Sequence, residues 1–124
     1  MTKGKVVLVP FPFDDLSASK VRPAVCLTEP IGPHRHVVVA FISSQTPATL
    51  DATDVRLDPR EKDFSKTGLR VASVLRLHRL VTLTTSLIQR ELGELSPAWQ
   101  AEVEKKLMLV FGLSSPPTAP ASAV

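Results

Sequence analysis

Val6-Val7-Leu8-Val9-Pro10-Phe11-Pro12-Phe13, then Asp14-Asp15-Leu16-Ser17-Ala18-Ser19-Lys20, then Val21-Arg22-Pro23-Ala24-Val25-Cys26-Leu27: these three stretches decide the fold. The two apolar runs are Val-rich, short and bounded by Pro, Asp and Ser, which suits strands better than helices. Pro10 and Pro12 lack the amide proton that a sheet ladder needs, so the first strand leaves its partner near them or lies on an edge. The segment between is small and polar, hence an exposed, mobile loop. Arg22 falls at the start of the second strand, where Pro23 holds it extended. A permanently charged fork at a loop–strand junction is well suited to a phosphate. The same residue serves equally as a surface ion-pair partner for Asp14 or Asp15.

Outward from this core the pattern stays short-stranded. Glu29-Pro30-Ile31-Gly32-Pro33 is a turn by composition. Val37 to Ile42 is apolar on both faces, as in a buried strand, and Ser43-Ser44-Gln45-Thr46-Pro47 ends it. Asp54 to Leu57 reads as a short strand, Asp58 to Lys66 as a charged connection, and Thr67-Gly68 as a turn. Leu69 to Leu77 reads as a longer strand on which Arg70 and Arg76 share parity, pointing to the same side unless a bulge intervenes. A bend follows, then Arg79 to Thr84 extended, and Ile88 to Leu92 as a weaker strand. Ser96-Pro97 starts a helix with an N-cap and a proline at its first position. Its apolar stripe is Trp99, Val103, Leu107 and Val110, and Gly112 stops it. Several strands followed by one amphipathic helix predict a small β-barrel or sheet capped by that helix.

With 124 residues, 44% hydrophobic and 22% charged, the chain has the composition of one globular domain with a modest core. That domain is expected over residues 1–113; residues 114–124 hold three prolines and no charge and are expected to be a disordered Pro/Ala-rich tail. The lone Cys26 cannot make an internal disulfide and reads as strand packing. Met1 to Lys5 leads into a run too short and too Pro-broken for a signal peptide or a membrane span, so a cytoplasmic location is expected. The formal charge of +3 says less than its placement: no acid stands between Lys66 and Arg90. Segregated positive charge suits a nucleic acid or an acidic peptide, or simply a solvated face.

Gly4-Lys5-Val6-Val7-Leu8-Val9, the Ser-containing loop, and Arg22-Pro23 with the strand after it resemble the opening of MazF/PemK-type toxins, the toxic halves of bacterial type II toxin–antitoxin pairs. Phe41-Ile42-Ser43-Ser44-Gln45, the span Leu69 to Leu83, and the closing helix ending Phe111-Gly112-Leu113 resemble later segments in the same order. The likeness covers residues 3–113. It implies an SH3-like β-barrel of the MazF/PemK/CcdB kind, mainly β with a C-terminal helix, in a symmetric homodimer. It also implies a sequence-selective endoribonuclease acting on single-stranded RNA, held inactive by a cognate acidic antitoxin.

By this resemblance Arg22 is the catalytic arginine and Ser43 the hydroxyl at the scissile phosphate, with Ser44 as its neighbouring alternative. Strand alternation points the two serines in opposite directions, so one of them should reach the site. Lys20, Ser44, Gln45 and Arg76 are the expected RNA contacts. The reaction needs no metal or cofactor: the substrate's own 2′-hydroxyl attacks phosphorus, and the protein supplies in-line positioning and charge stabilisation. Arginine does not deprotonate ordinarily, so Arg22 is a charge clamp and not a base. His34-Arg35-His36 has same-face spacing but only two ligands, the mark of a solvated turn. His78 departs from an acidic residue common in the family and is expected to pack structurally. Lys5 and Ala18 are further departures, where an acid and a glycine are usual. Two rival readings remain from the sequence: a CcdB-like gyrase-binding toxin, which lacks a need for Arg22 with Ser43, and an inactive relative that binds RNA or antitoxin without cutting.

Overall fold

Pro10 closes the first strand and Pro23 delays the second from meeting the third, so the prolines of the opening stretch set where the sheet comes apart. In the computed structural model, which describes residues 1–10 and 20–113, the strands are β1 (Lys5–Pro10), β2 (Val21–Cys26), β3 (His36–Ser43), β4 (Asp54–Leu57), β5 (Ser73–Thr84) and β6 (Arg90–Glu94). One helix follows, α1 (Pro97–Val110). The strands form one antiparallel sheet in the order β4-β5-β3-β2-β1-β6. It curls into a half-barrel with β4 and β6 at its edges, the form that the expected small barrel takes here. The loop residues 11–19 and the Pro/Ala-rich tail 114–124 lie outside the described residues.

Each face of the sheet buries its own apolar set, as period-2 alternation requires. Val6, Val25, Ala40, Ile42, Val55, Leu57, Leu75 and Leu77 face the helix, where Trp99 and Val103 close over them. Val7, Val9, Ala24, Cys26, Val37, Val39, Phe41 and Leu83 pack on the other face. Fully burying one such Val, Leu or Phe side chain contributes about 1.5–3 kcal/mol, so both faces matter to stability. Cys26 packs in the second cluster, as expected, and burial pushes its thiol up to about 11.

The helix follows the sequence closely. Ser96 accepts a hydrogen bond from the Trp99 amide at 3.2 Å, with Pro97 in the first turn. Trp99 and Val103 are buried, and Leu107 and Val110 pack on the same core. At the other end Gly112 takes φ 67°, the Leu113 amide donates to the Met108 carbonyl and the Gly112 amide to that of Leu109. This is a Schellman ending that needs glycine at that point.

Three expectations change. β5 begins at Ser73 instead of Leu69, so Arg70 lies off the strand and the parity argument joining it to Arg76 lapses. The connection expected to be merely charged contains a 3₁₀ turn, Phe64–Thr67, whose Phe64 and Thr67 are buried. The turn presses on β6: a Cβ at Gly68 would lie 2.1 Å from the Leu92 carbonyl oxygen, and one at Gly93 2.1 Å from that of Lys66. Only two glycines allow the backbones so close. Finally, the strand after the expected bend is the same strand. Ala40 pairs with Leu80 and Phe41 with Arg76, leaving Leu77, His78 and Arg79 as an extra three residues in β5. An odd insertion exchanges the faces, which is why Leu75 and Leu77 point to the helix while Leu83 belongs to the opposite cluster.

Candidate active site

Arg22 and Ser43 meet through register. Ala24 pairs with Phe41, Val25 with Ala40 and Cys26 with Val39. Continuing that register by two residues sets Arg22 opposite Ser43, both on the face away from α1. The β2–β3 ladder starts at Ala24, next to Pro23, which has no amide to donate. The strand ends therefore part just where these side chains stand. The gap is an open pocket of about 220 Å³ lined by Arg22, Phe41, Ile42, Ser43, Ser44, Gln45 and Arg79. Two guanidinium groups and two hydroxyls with no carboxylate among the described lining residues make a site for an anion.

Arg79 is the lining residue that the sequence reading placed only in a basic span. It comes to the pocket through the three-residue bulge that ends with it. A signal was present: in Leu75, Leu77, Arg79, Val81 and Leu83, the arginine interrupts an apolar alternation. On a regular strand it would have been forced into the apolar face.

Ser43 and Ser44 both line the pocket. The expectation that alternation admits one of them fails because β3 stops at Ser43, and period-2 geometry stops with it. The Ser43 hydroxyl accepts a hydrogen bond from the Gln45 amide at 3.1 Å and lies 3.4 Å from the Gln45 carbonyl oxygen. This local turn fixes the oxygen and places Gln45 on the pocket rim. Lys20 is exposed at the mouth of β2 and is not among the lining residues.

Arg76 does not join the group. Its Nε lies 2.8 Å from Oδ1 of the fully buried Asp54, and its Nη2 donates to Asp51 Oδ2 at 3.1 Å. The Nε–Asp54 contact is close but its N–H is not aligned for a hydrogen bond, so the attraction there is Coulombic. Lys66, another cation of the acid-free span, pairs with Asp63 at 3.5 Å. Folding thus returns acids to a stretch that looked purely basic. Lys5, the first departure, lies 3.4 Å from Glu91 and 4.0 Å from Glu94 on β6, away from the pocket.

His78, expected to pack, is exposed within the bulge. It shares a place with Asp51 and Asp54, the ligand atoms of the three lying within 4.8 Å of one another. This group fits a divalent cation poorly, because the Arg76 guanidinium already supplies the positive charge between its two carboxylates. His34, on the turn between β2 and β3, and His36, the first residue of β3, are exposed, with ring centres 5.9 Å apart.

The fold is a curled antiparallel half-barrel with one C-terminal helix, carrying at its parted strand ends a pocket whose cationic, hydroxyl lining is suited to an anion. The comparison with family descriptions makes it particular: residues 2–111 match the PemK-like, MazF-like toxin of type II toxin–antitoxin systems, and the chain belongs to this family. Comparison with curated protein sequences gave no match. Among solved structures, the chain is similar to the Mycobacterium tuberculosis toxin MazF-mt6, at 22% identity over 90% of this chain and 99% of that one, with a TM-score of 0.68. It is similar to an endoribonuclease in complex with its cognate antitoxin from a mycobacterial species, at 18% identity over 94% and 99% of the two chains, TM-score 0.67. The MazE–MazF structure from Deinococcus radiodurans is a third, at 19% identity over 92% and 97%, TM-score 0.65. At these identities the likeness establishes the shared fold.

Proposed function

We propose that this chain is the toxin of a type II toxin–antitoxin pair and acts as a sequence-selective, metal-independent endoribonuclease on single-stranded RNA. One observation carries the reading: Arg22, Arg79 and Ser43 converge on a single pocket with no carboxylate among its described lining residues. In the proposed reaction the 2′-oxygen attacks the adjacent phosphorus and the bond to the 5′-oxygen breaks. The products are a 2′,3′-cyclic phosphate and a 5′-hydroxyl; one proton leaves the 2′-hydroxyl and one reaches the departing oxygen. Arg22 holds two non-bridging oxygens with its fork, and Arg79 adds a second positive charge as negative charge builds. Ser43 accepts from the Gln45 amide, and its O–H, which donates over a long 3.4 Å to the Gln45 carbonyl, turns to a phosphate oxygen when RNA binds. Lys20, Ser44 and Gln45 flank the strand of RNA.

The partner that silences such a site is a cognate acidic antitoxin, as the family membership and the antitoxin-bound structures with this fold support. A homodimer in the cytoplasm completes the proposal. The apolar runs Val6 to Val9 and Val37 to Val39 are largely buried within one chain and leave little surface for such an interface. Leu109, Phe111 and Leu113 remain exposed at the end of α1 as apolar surface for a partner.

The test is incubation of the purified chain with single-stranded RNA in EDTA, beside Arg22→Ala and a substrate with one 2′-deoxy sugar 5′ of the cut bond. Cleavage in EDTA, cyclic phosphate ends, and a resistant deoxy linkage are expected. Cutting of the deoxy linkage, or cutting only with added metal, would remove this mechanism.

A further inference from the structure

Ser43 and Gln45 open a segment that is exposed through residues 44–49 and carries no strand or helix until β4. A pocket wall made by such a segment needs an anchor further along. Asp54, at the start of β4, is fully buried, and its Oδ2 accepts from the Asp51 amide at 2.9 Å. Arg76 binds both carboxylates, and Lys106 of α1 donates to the Asp54 carbonyl at 2.6 Å. Arg76 is also the last regular residue of β5 before the bulge that delivers Arg79. The same ion-pair cluster therefore stands at the base of both pocket walls.

We propose that Arg76 is a positioning residue for the reaction: its pairing with the buried Asp54 and the exposed Asp51 fixes the segment carrying Gln45 and the bulge carrying Arg79, and it makes no contact with RNA. The inference rests on the ribonuclease reading for its kinetic part only. The electrostatics agree, since a guanidinium between two carboxylates has its charge more than balanced and offers little to a phosphate. The side chain is half-buried among those acids, with Nη2 hydrogen-bonded to Asp51 and Nε held 2.8 Å from Asp54 Oδ1.

The experiment compares the wild-type chain with Arg76→Met/Asp54→Asn, which removes both charges of the inner pair together, and with Arg76→Lys, which keeps the charge but loses the fork. Melting curves establish that each variant folds, and the lysine variant carries the test where the double variant does not. In protein without RNA, amide hydrogen exchange in residues 44–53 and 77–80 is expected to quicken roughly tenfold, with α1 unchanged. The kcat for a cleavable RNA is expected to fall roughly 10- to 100-fold with KM nearly constant, the signature of misplaced groups. Binding of a fluorescent 2′-O-methyl single-stranded RNA of random sequence reads contact directly. A residue touching one phosphate contributes about 0.7 to the salt slope on a single strand. The slope should be unchanged in the double variant and fall by about that amount in Arg22→Met. A fall in the slope of the double variant, or unaltered exchange in both segments, overturns the proposal. A wild-type chain that neither binds nor cuts RNA removes the ribonuclease reading, and the exchange data still decide the clasp.

Discussion

Arg22 shows how little of a side chain's role lies in its chemistry alone. Its charge and fork suit a phosphate or an acid equally; the missing amide of Pro23 and the β2–β3 register put it beside Ser43. The proposed clamp gives an ordered set of outcomes. Arg22→Ala should cost about 3–4 kcal/mol of transition-state stabilisation, as for a lost oxyanion donor, and Arg22→Lys should recover little of it because the two-pronged geometry is gone. Arg79→Ala should lower kcat/KM clearly, and Ser43→Ala less than Arg22→Ala, since it removes one neutral donor. Single-turnover kinetics on a short RNA measure all four, and a Ser43 effect larger than that of Arg22 would contradict the clamp. His78 faces Asp51 and Asp54 and is absent from the pocket lining. The pH–rate profile of His78→Gln should therefore superimpose on that of the wild type; a profile that changes shape would make His78 the proton acceptor.

Among elements, β5 carries the largest consequence. A strand that begins facing the helix with Leu75 and Leu77 ends with Leu83 on the other face, and the three residues of the exchange bring Arg79 to the pocket. The contact between the 3₁₀ turn and β6 is equally specific. At Gly93 an added methyl would meet the backbone of Lys66 and Thr67, and backbone cannot step aside as a side-chain tip can. Gly93→Ala should lower stability by at least about 1–3 kcal/mol, the usual cost of overpacking, measured by urea denaturation. A neutral Gly93→Ala would mean that the turn is free to lift from the sheet. Ser96→Ala should cost about 1 kcal/mol through loss of the cap to Trp99, with the rest of α1 intact.

For the whole molecule, the titrating groups act in opposite directions at the two ends of the pH scale. Hydrogen bonds from Arg60, through side chain and backbone, hold Asp58 down to about 2, and the Thr2 amide lowers Glu29 together with that of Lys3. A carboxylate held below its unfolded value adds stability above that value and loses it as pH falls through the folded one. Cys26 is raised to about 11, so its contribution is intact below its unfolded value near 9 and disappears as pH climbs past both. The melting temperature should therefore fall from about pH 5 toward pH 2 and again above about pH 9. Native Cys26 should resist iodoacetamide at pH 8 and react once the chain is unfolded; ready alkylation of the folded protein would show that β2 opens at its buried end.

The helix could be read residue by residue, because a cap, a stripe at three- and four-residue spacing, and a terminal glycine are local signals. So could the strands around Val7, Val25, Val39 and Val55, and the likeness singled out Arg22 in the opening stretch and Ser43 in a later segment. Distance along the chain hid the rest. Whether a cation meets an acid depends on which strands become neighbours, and β4 beside β5 gave Arg76 to Asp54 and Asp51 instead of to the pocket. Arg79 joined Arg22 through an insertion that the sequence marks only by a break in an apolar alternation and that the register of β3 defines. Local sequence determined the elements and their apolar faces, since propensity and periodicity act over a few residues. Pairing between strands far apart in the chain decided which charges stand together, and so the composition of the site.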